Sequence, residues 1–209
     1  MSSNTVEEYG WKAETGTWAS SYIVPPVIAR LKRLGVHRVL DLGAGNGHLC
    51  GLLAAEGFDV VGVEYDRMGV EIAKRAHPAI KFYCFGVQDN PQELLATEAP
   101  FDAVVSTEVI EHLFSPHLLP AFANAVLKPR GALVITTPYH GYLKNLLIAL
   151  LGKWDWHHTT LWHGGHIKFW SRATLSQLLT EQGFRVTRFQ GISRAPYLWR
   201  SMLLVAEKV

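Results

Sequence analysis

Residues 41–47 read Asp-Leu-Gly-Ala-Gly-Asn-Gly, directly after a short apolar run and directly before a run with helical spacing. Glycines at such a strand-to-helix turn permit a sharp reversal and let a ligand approach the backbone closely. They fall at Gly43, Gly45 and Gly47, a GxGxG spacing that differs from the GxGxxG of nicotinamide-binding turns. Asp41 stands just before the turn, where it is expected to hold a charged amino-acid moiety through water or a backbone contact. Glu64 ends the next apolar run about 20 residues on, the place from which a carboxylate takes both hydroxyls of an adenosine ribose.

A second stretch, Ser106-Thr107-Glu108-Val109-Ile110-Glu111-His112-Leu113, follows a later apolar run. If it turns helically, Glu108, Glu111 and His112 lie at i, i+3 and i+4 and face one way. Two carboxylates and an imidazole on one face suit a divalent cation such as Mg²⁺, Mn²⁺ or Zn²⁺, or one of them serves as a general base. A reaction in which a hydroxyl attacks needs one such device, because a neutral hydroxyl is a poor nucleophile. A cation lowers its pKa and fixes its position; without one, His112 is the natural base.

From about Val36 to the C-terminus, the chain resembles class I S-adenosylmethionine methyltransferases. That resemblance implies that the turn carries the methionine part of S-adenosyl-L-methionine on Asp41, Gly43, Ala44 and Gly45. It gives the ribose to Glu64, and it adds Tyr65, Gln88 and Thr107 as cofactor contacts. Many family members place an acid soon after the third strand for the adenine amino group. Here the sequence is Gly86-Val87-Gln88-Asp89, with Val87 where that acid is often found, which leaves Gln88, Asp89 or backbone groups for the role. The stretch 108–112 is similar to the Glu-x-x-Glu-His of ubiquinone-biosynthesis O-methyltransferases and of small-RNA 2′-O-methyltransferases. In the RNA branch these residues ligate a metal together with a distant histidine in an H-x-K-F-x-W-like context. This chain has His166-Ile167-Lys168-Phe169-Trp170, with the tryptophan directly after Phe169, so His166 is the fourth ligand that the resemblance implies.

Those residues need a scaffold that brings strand ends together. Apolar runs at 38–42, 59–64, 80–85, 101–106 and 132–137 predict strands, separated by helices over 49–56, 68–76, 92–96 and 117–127. An earlier helix over 21–34 is expected, with Pro25 and Pro26 near its first turn. A helix over 172–182 and strands over 184–189 and 202–207 complete the series. The alternation implies an α/β fold with a Rossmann-like, mostly parallel sheet covered by helices on both faces. The family resemblance makes it seven-stranded with the last strand antiparallel.

Two segments stand outside that rhythm. Residues 1–35 form an expected N-terminal cap and helix, in which Trp11, Trp18 and Tyr22 close the cofactor site. Residues 139–170 form an insert too long for a simple connection, holding many of the histidines and tryptophans. The insert reads as a lid helix followed by an aromatic, histidine-lined wall with a glycine hinge at 164 and 165; alternatively its apolar helix packs on the sheet edge or on a second subunit. Arg194, Tyr197 and Arg200, between the last two strands, are expected acceptor contacts.

The 209 residues suit one domain, and the net charge of +2 is scattered, without the basic track of a nucleic-acid binder. Cys50 and Cys84 lack metal or disulfide spacing and read as buried thiols. With a polar, acidic start and no long apolar run, the expectation is a cytoplasmic monomer or homodimer without a membrane span. The favoured function is O-methylation of a small, partly apolar acceptor. Transfer to nitrogen, carbon or RNA, a nicotinamide-dependent oxidoreductase and a non-catalytic cofactor-binding protein are the rivals; no clear Tyr-x-x-x-Lys pair supports the oxidoreductase.

Overall fold

Near-continuous runs of Val, Leu and Ile form strands covered on both sides, because only then are both pleat faces kept from water. The computed structural model describes Trp11, residues 15–158, Leu161 and residues 165–209. Its strands are β1 (Arg38–Leu42), β2 (Asp59–Glu64), β3 (Lys81–Cys84), β4 (Phe101–Thr107), β5 (Leu127–Pro138), β6 (Phe184–Ile192) and β7 (Ser201–Lys208). They form one seven-stranded sheet in the order β3-β2-β1-β4-β5-β7-β6. From β3 to β5 all neighbours are parallel, and β7 lies antiparallel between β5 and β6. This is the Rossmann-like sheet that the sequence predicts.

The pleat sorts side chains into two cores. Leu40, Leu42, Val61, Val63, Val104, Leu133 and Ile135 point to one face. There they meet α4 (Pro91–Leu95), α5 (Leu118–Val126) and α8 (Arg172–Glu181) through Leu94, Phe122 and Leu175. Val39, Val60, Val105 and Val134 point to the other face, against α1 (Ser20–Leu34), α2 (His48–Ala55) and α3 (Arg67–Ala76). Each fully buried Val, Leu or Ile contributes about 1.5–3 kcal/mol, so the register that keeps both sets dry is strongly preferred.

Local signals set the helix ends. Asp66 accepts from the Met68 amide at 2.9 Å to cap α3, and Ser171 with Thr174 forms a capping box at α8. Helix α1 starts at Ser20, so Pro25 and Pro26 lie inside it rather than in its first turn. The expectation that both cysteines are buried also needs correcting: Cys50 is buried and Cys84 is exposed.

The insert holds α6 (Tyr142–Leu150) and α7 (Trp154–His158). Leu143, Leu146 and Leu150 of α6 are exposed, and the buried residue of that helix is Lys144. Apolar packing on the sheet therefore does not hold α6 in place. Gly164 of the expected glycine hinge falls outside the described residues. No helix among the described residues is long and apolar enough to cross a membrane.

Candidate active site

The chain order reverses between β1 and β4: β2 and β3 lie on one side of β1, while β4 and β5 extend the sheet on the other. A crevice opens beyond the carboxyl ends of strands at such a switch point. Both chemistry-bearing stretches are delivered there, one by β1 and one by β4. They border a cavity of about 750 Å³.

At the β1 end, the amides of Gly43 and Ala44 donate to the Val63 carbonyl at 2.8 and 2.9 Å. Gly43 has φ +90°, and a Cβ there would lie 2.5 Å from Val109. Gly45 has φ +54°, and its Cβ would strike the Trp11 ring at 2.5 Å. Both positions thus require glycine by conformation and by space. Glu64 is buried, and its two carboxylate oxygens accept from the Gly45 and Asp66 amides, each at 2.9 Å. Burial pushes its pKa up, while those amide bonds pull it back. Each oxygen has a further lone pair for a ligand hydroxyl.

Asp41 lies on the α2 side of β1, where Cys50 donates to its Oδ2 at 3.3 Å. Its Oδ1 is buried with no hydrogen-bond partner. Burial raises its pKa to about 7, opposed by the Cys50 hydrogen bond and reinforced by Glu64. A cationic ligand group beside Oδ1 would satisfy both the orphan and the buried charge.

Ala44, Tyr65, Gln88 and Thr107 also border the cavity, as do Trp11, Trp18 and Tyr22. The adenine question narrows. Val87 and Gln88 border the cavity, whereas the Asp89 carboxylate accepts from the Gly86 amide at 2.7 Å and closes that turn.

The β4 end departs from the expected single helical face. Glu108 has φ +53°, and only Ile110–His112 winds into a 3₁₀ turn. Glu108 therefore turns away from Glu111, and its two oxygens accept from the hydroxyls of Thr136 (2.9 Å) and Ser201 (3.1 Å). Burial raises its pKa, only partly offset by those hydroxyls and by the Lys144 charge.

Glu111, His112 and His166 are brought together, and Glu108 is not part of that group. The Glu111 carbonyl accepts from the amides of Ile167 (2.9 Å) and Lys168 (3.0 Å), which pins the 166–168 segment to the 3₁₀ turn. The carboxylate of Glu111 is buried; Oε2 accepts from Thr137 at 2.9 Å, and Oε1 has no hydrogen-bond partner. That oxygen lies 3.9 Å from His112 Nε2 and 4.0 Å from His166 Nε2. Such separations are too long for hydrogen bonds, yet two ligands each ~2.1 Å from one ion lie no more than ~4.2 Å apart. Burial first, then neighbouring His112, lowers the His166 pKa to about 4, which keeps it neutral and able to ligate. Burial and Glu108 push the Glu111 carboxyl well up, so that a cation there would relieve it. The donor set fits a divalent ion of the kind that imidazole and carboxylate hold together.

Of the acceptor contacts expected from the β6–β7 loop, Arg194 and Arg200 border the cavity, while Tyr197 leans on Trp199 with ring centroids 5.4 Å apart. Lys144, His140 and Ser201 also border it and were not singled out from sequence. Lys144 sits in a run that reads as apolar, and its single charge was the available signal.

A profile described as a methyltransferase domain matches residues 20–188, and the chain belongs to that family. Its fold and the turn at the switch point are those of the class I S-adenosylmethionine-dependent methyltransferases. Among curated proteins it is 29% identical over 180 residues to a ubiquinone biosynthesis O-methyltransferase of Bradyrhizobium diazoefficiens, covering 81% of this chain and 67% of that one. A second such enzyme, from Rhodopseudomonas palustris, is 30% identical over 178 residues, covering 78% and 65%. The chain thus spans about two thirds of the length of these relatives. Magnesium protoporphyrin IX methyltransferase from Synechocystis, solved with bound S-adenosylhomocysteine, shares the fold at a TM-score of 0.67 and 18% identity, over 96% of this chain and 91% of that one. An N1-methyltransferase of Burkholderia thailandensis, solved with 1,6-didemethyltoxoflavin and S-adenosylhomocysteine, gives 0.66 and 19%, over 92% and 80%.

Proposed function

We propose that this enzyme transfers the methyl group of S-adenosylmethionine to an oxygen of a small, partly apolar acceptor, with a divalent cation held by Glu111, His112 and His166. The observation that carries this reading is the buried, partnerless Oε1 of Glu111 between two imidazole nitrogens, beside the cofactor turn. The names of the curated relatives support oxygen as the acceptor atom. Neighbours of the same fold include an N-methyltransferase, so the fold alone does not choose that atom.

The chain's own groups divide the work. Asp41 offers Oδ1 to the cofactor's ammonium, Glu64 takes the ribose hydroxyls, and Tyr65, Gln88 and Thr107 border the nucleoside. Transfer forms an O–C bond, breaks the S–C bond and leaves its electron pair on sulfur. The acceptor's proton must leave: with a cation held by His112 it would pass to solvent water, and with that site empty His112, which borders the cavity, can receive it. A bound cation would lower the acceptor's pKa and orient its oxygen. Glu111 would hold that ion through Oε1, while Thr137 donates to its other oxygen.

Calorimetric titration with S-adenosylhomocysteine, then Mn²⁺ or Zn²⁺, tests both parts. S-adenosylhomocysteine binds with or without chelator, while Glu111→Gln weakens the cation at least ~10-fold and leaves cofactor affinity in place. Methylation of a catechol that continues in chelator and in Glu111→Gln would remove the cation from the mechanism.

A further inference from the structure

We propose that the acceptor end of the cavity is an anion subsite, in which Lys144, Arg194 and Arg200 receive a carboxylate or phosphate group carried by the methyl acceptor. This rests on the reading above, which gives the other end of the cavity to the cofactor.

Three cationic side chains from separate elements border this end: Lys144 from α6, Arg194 from the β6–β7 loop and Arg200 just before β7. None of them forms an ion pair with a described carboxylate. Lys144 is buried, and its Nζ donates to the carbonyls of Tyr139 (2.8 Å) and Arg200 (3.4 Å). Carbonyls solvate an ammonium without cancelling its charge; burial first, then the Arg194 charge, lowers the Lys144 pKa to about 8, and Glu108 only partly opposes them. The Arg200 guanidinium lies 4.3 Å from the Trp18 ring centroid and 5.6 Å from that of Tyr22, and its Nε is buried without a hydrogen-bond partner. Arg194 sits in a loop where Ser193, Arg194 and Tyr197 all have positive φ, a strain that clusters at ligand clamps.

The acid on this side is Glu108, and both its oxygens are already engaged by hydroxyls. Three cations therefore face at most one carboxylate. Burial first, then the Lys144 charge, lowers the pKa of His140 to about 3 and of His157 to about 4, as expected beside uncancelled positive charge. Burying charge without a counter-charge is costly, and an anionic ligand supplies what the fold omits. Trp156, Tyr22 and Leu113 border the same space, so the rest of the acceptor is apolar or aromatic.

The test is calorimetry in two stages. S-adenosylhomocysteine is titrated first; then 3,4-dihydroxybenzoate, its neutral amide and the matching phosphonate are titrated into the saturated protein. The benzoate or the phosphonate binds at least ten-fold tighter than the amide, and whichever binds tighter identifies the anionic group. The gap falls below three-fold in Arg194→Gln, an exposed position where folding is not at stake, and in Lys144→Met. Cofactor affinity in Arg194→Gln stays within two-fold; a loss matching the acceptor's would assign the cations to the cofactor's own carboxylate and overturn the subsite. Equal affinity for acid and amide, or no binding by either anion, overturns it too while leaving the cofactor site standing. Failure of S-adenosylhomocysteine to bind overturns the parent reading and this proposal with it.

Discussion

Asp41 illustrates how one buried oxygen ties sequence to chemistry. Its carboxyl pKa is raised from 3.8 to about 7, so it is protonated in the folded state over a range where the unfolded chain has released its proton. A raised folded pKa gives stability that is complete below about pH 4 and is lost as pH rises through about 7. Asp41→Asn lacks this dependence. In urea titrations without cofactor, the midpoint of the Asn variant gains on that of the original chain between pH 5 and pH 8. The same variant is expected to bind S-adenosylhomocysteine more weakly at pH 8, because it lacks the carboxylate proposed to face the ammonium. Asp41, Glu64, Glu111 and His112 were legible from residue type and spacing, and His166 from the family resemblance. The hydroxyl partners of Glu108 were not, since Thr136 and Ser201 reach it from strands 28 and 93 residues away in sequence.

At the scale of elements, the group proposed to hold a cation depends on two backbone hydrogen bonds. The Glu111 carbonyl holds the Ile167 and Lys168 amides, and this places His166 against His112 with ring centroids 5.0 Å apart. Ile167→Pro removes one of these donors. Mn²⁺ affinity then falls ~10-fold or more, while S-adenosylhomocysteine affinity stays unchanged because its turn hangs from β1 and β2. Calorimetry on the one variant reads both quantities. The periodicity 108–112 suggested a helical face, and a left-handed Glu108 broke it; local spacing cannot register a residue that long-range hydroxyls hold at positive φ. Helix α6 was read as a lid, or else as packed on the sheet edge or a second subunit; its leucines at 143, 146 and 150 are exposed, and Lys144 is the residue that points inward, held by two carbonyls.

For the molecule as a whole, the cavity is closed by segments far apart in the chain. Trp11 covers Gly45, and Arg200 stacks on Trp18, so the N-terminal residues and the β6–β7 loop meet across the crevice. A ligand that fills this space stabilises only the folded state. At a hundred times its dissociation constant, S-adenosylhomocysteine adds about 2.7 kcal/mol, which raises the melting temperature of a chain this long by about 5–10 °C. Differential scanning calorimetry measures that shift, and no shift would mean that the cavity does not hold the cofactor.

The strand–helix alternation, the GxGxG turn, its partner Glu64 and the Glu-His stretch were determined by sequence alone. The turn and the Glu-His stretch are local, the strands follow a pleat that repeats every two residues, and Glu64 meets the turn across one strand–helix–strand unit, 19 residues from Gly45. The tertiary structure decided which groups share a charge. It paired Glu108 with hydroxyls instead of with Glu111, set His166 beside Glu111, and gathered Lys144, Arg194 and Arg200 at one end of the cavity. Coulomb and hydrogen-bond energies depend on distance in space, and a linear sequence does not contain those distances until the sheet has closed.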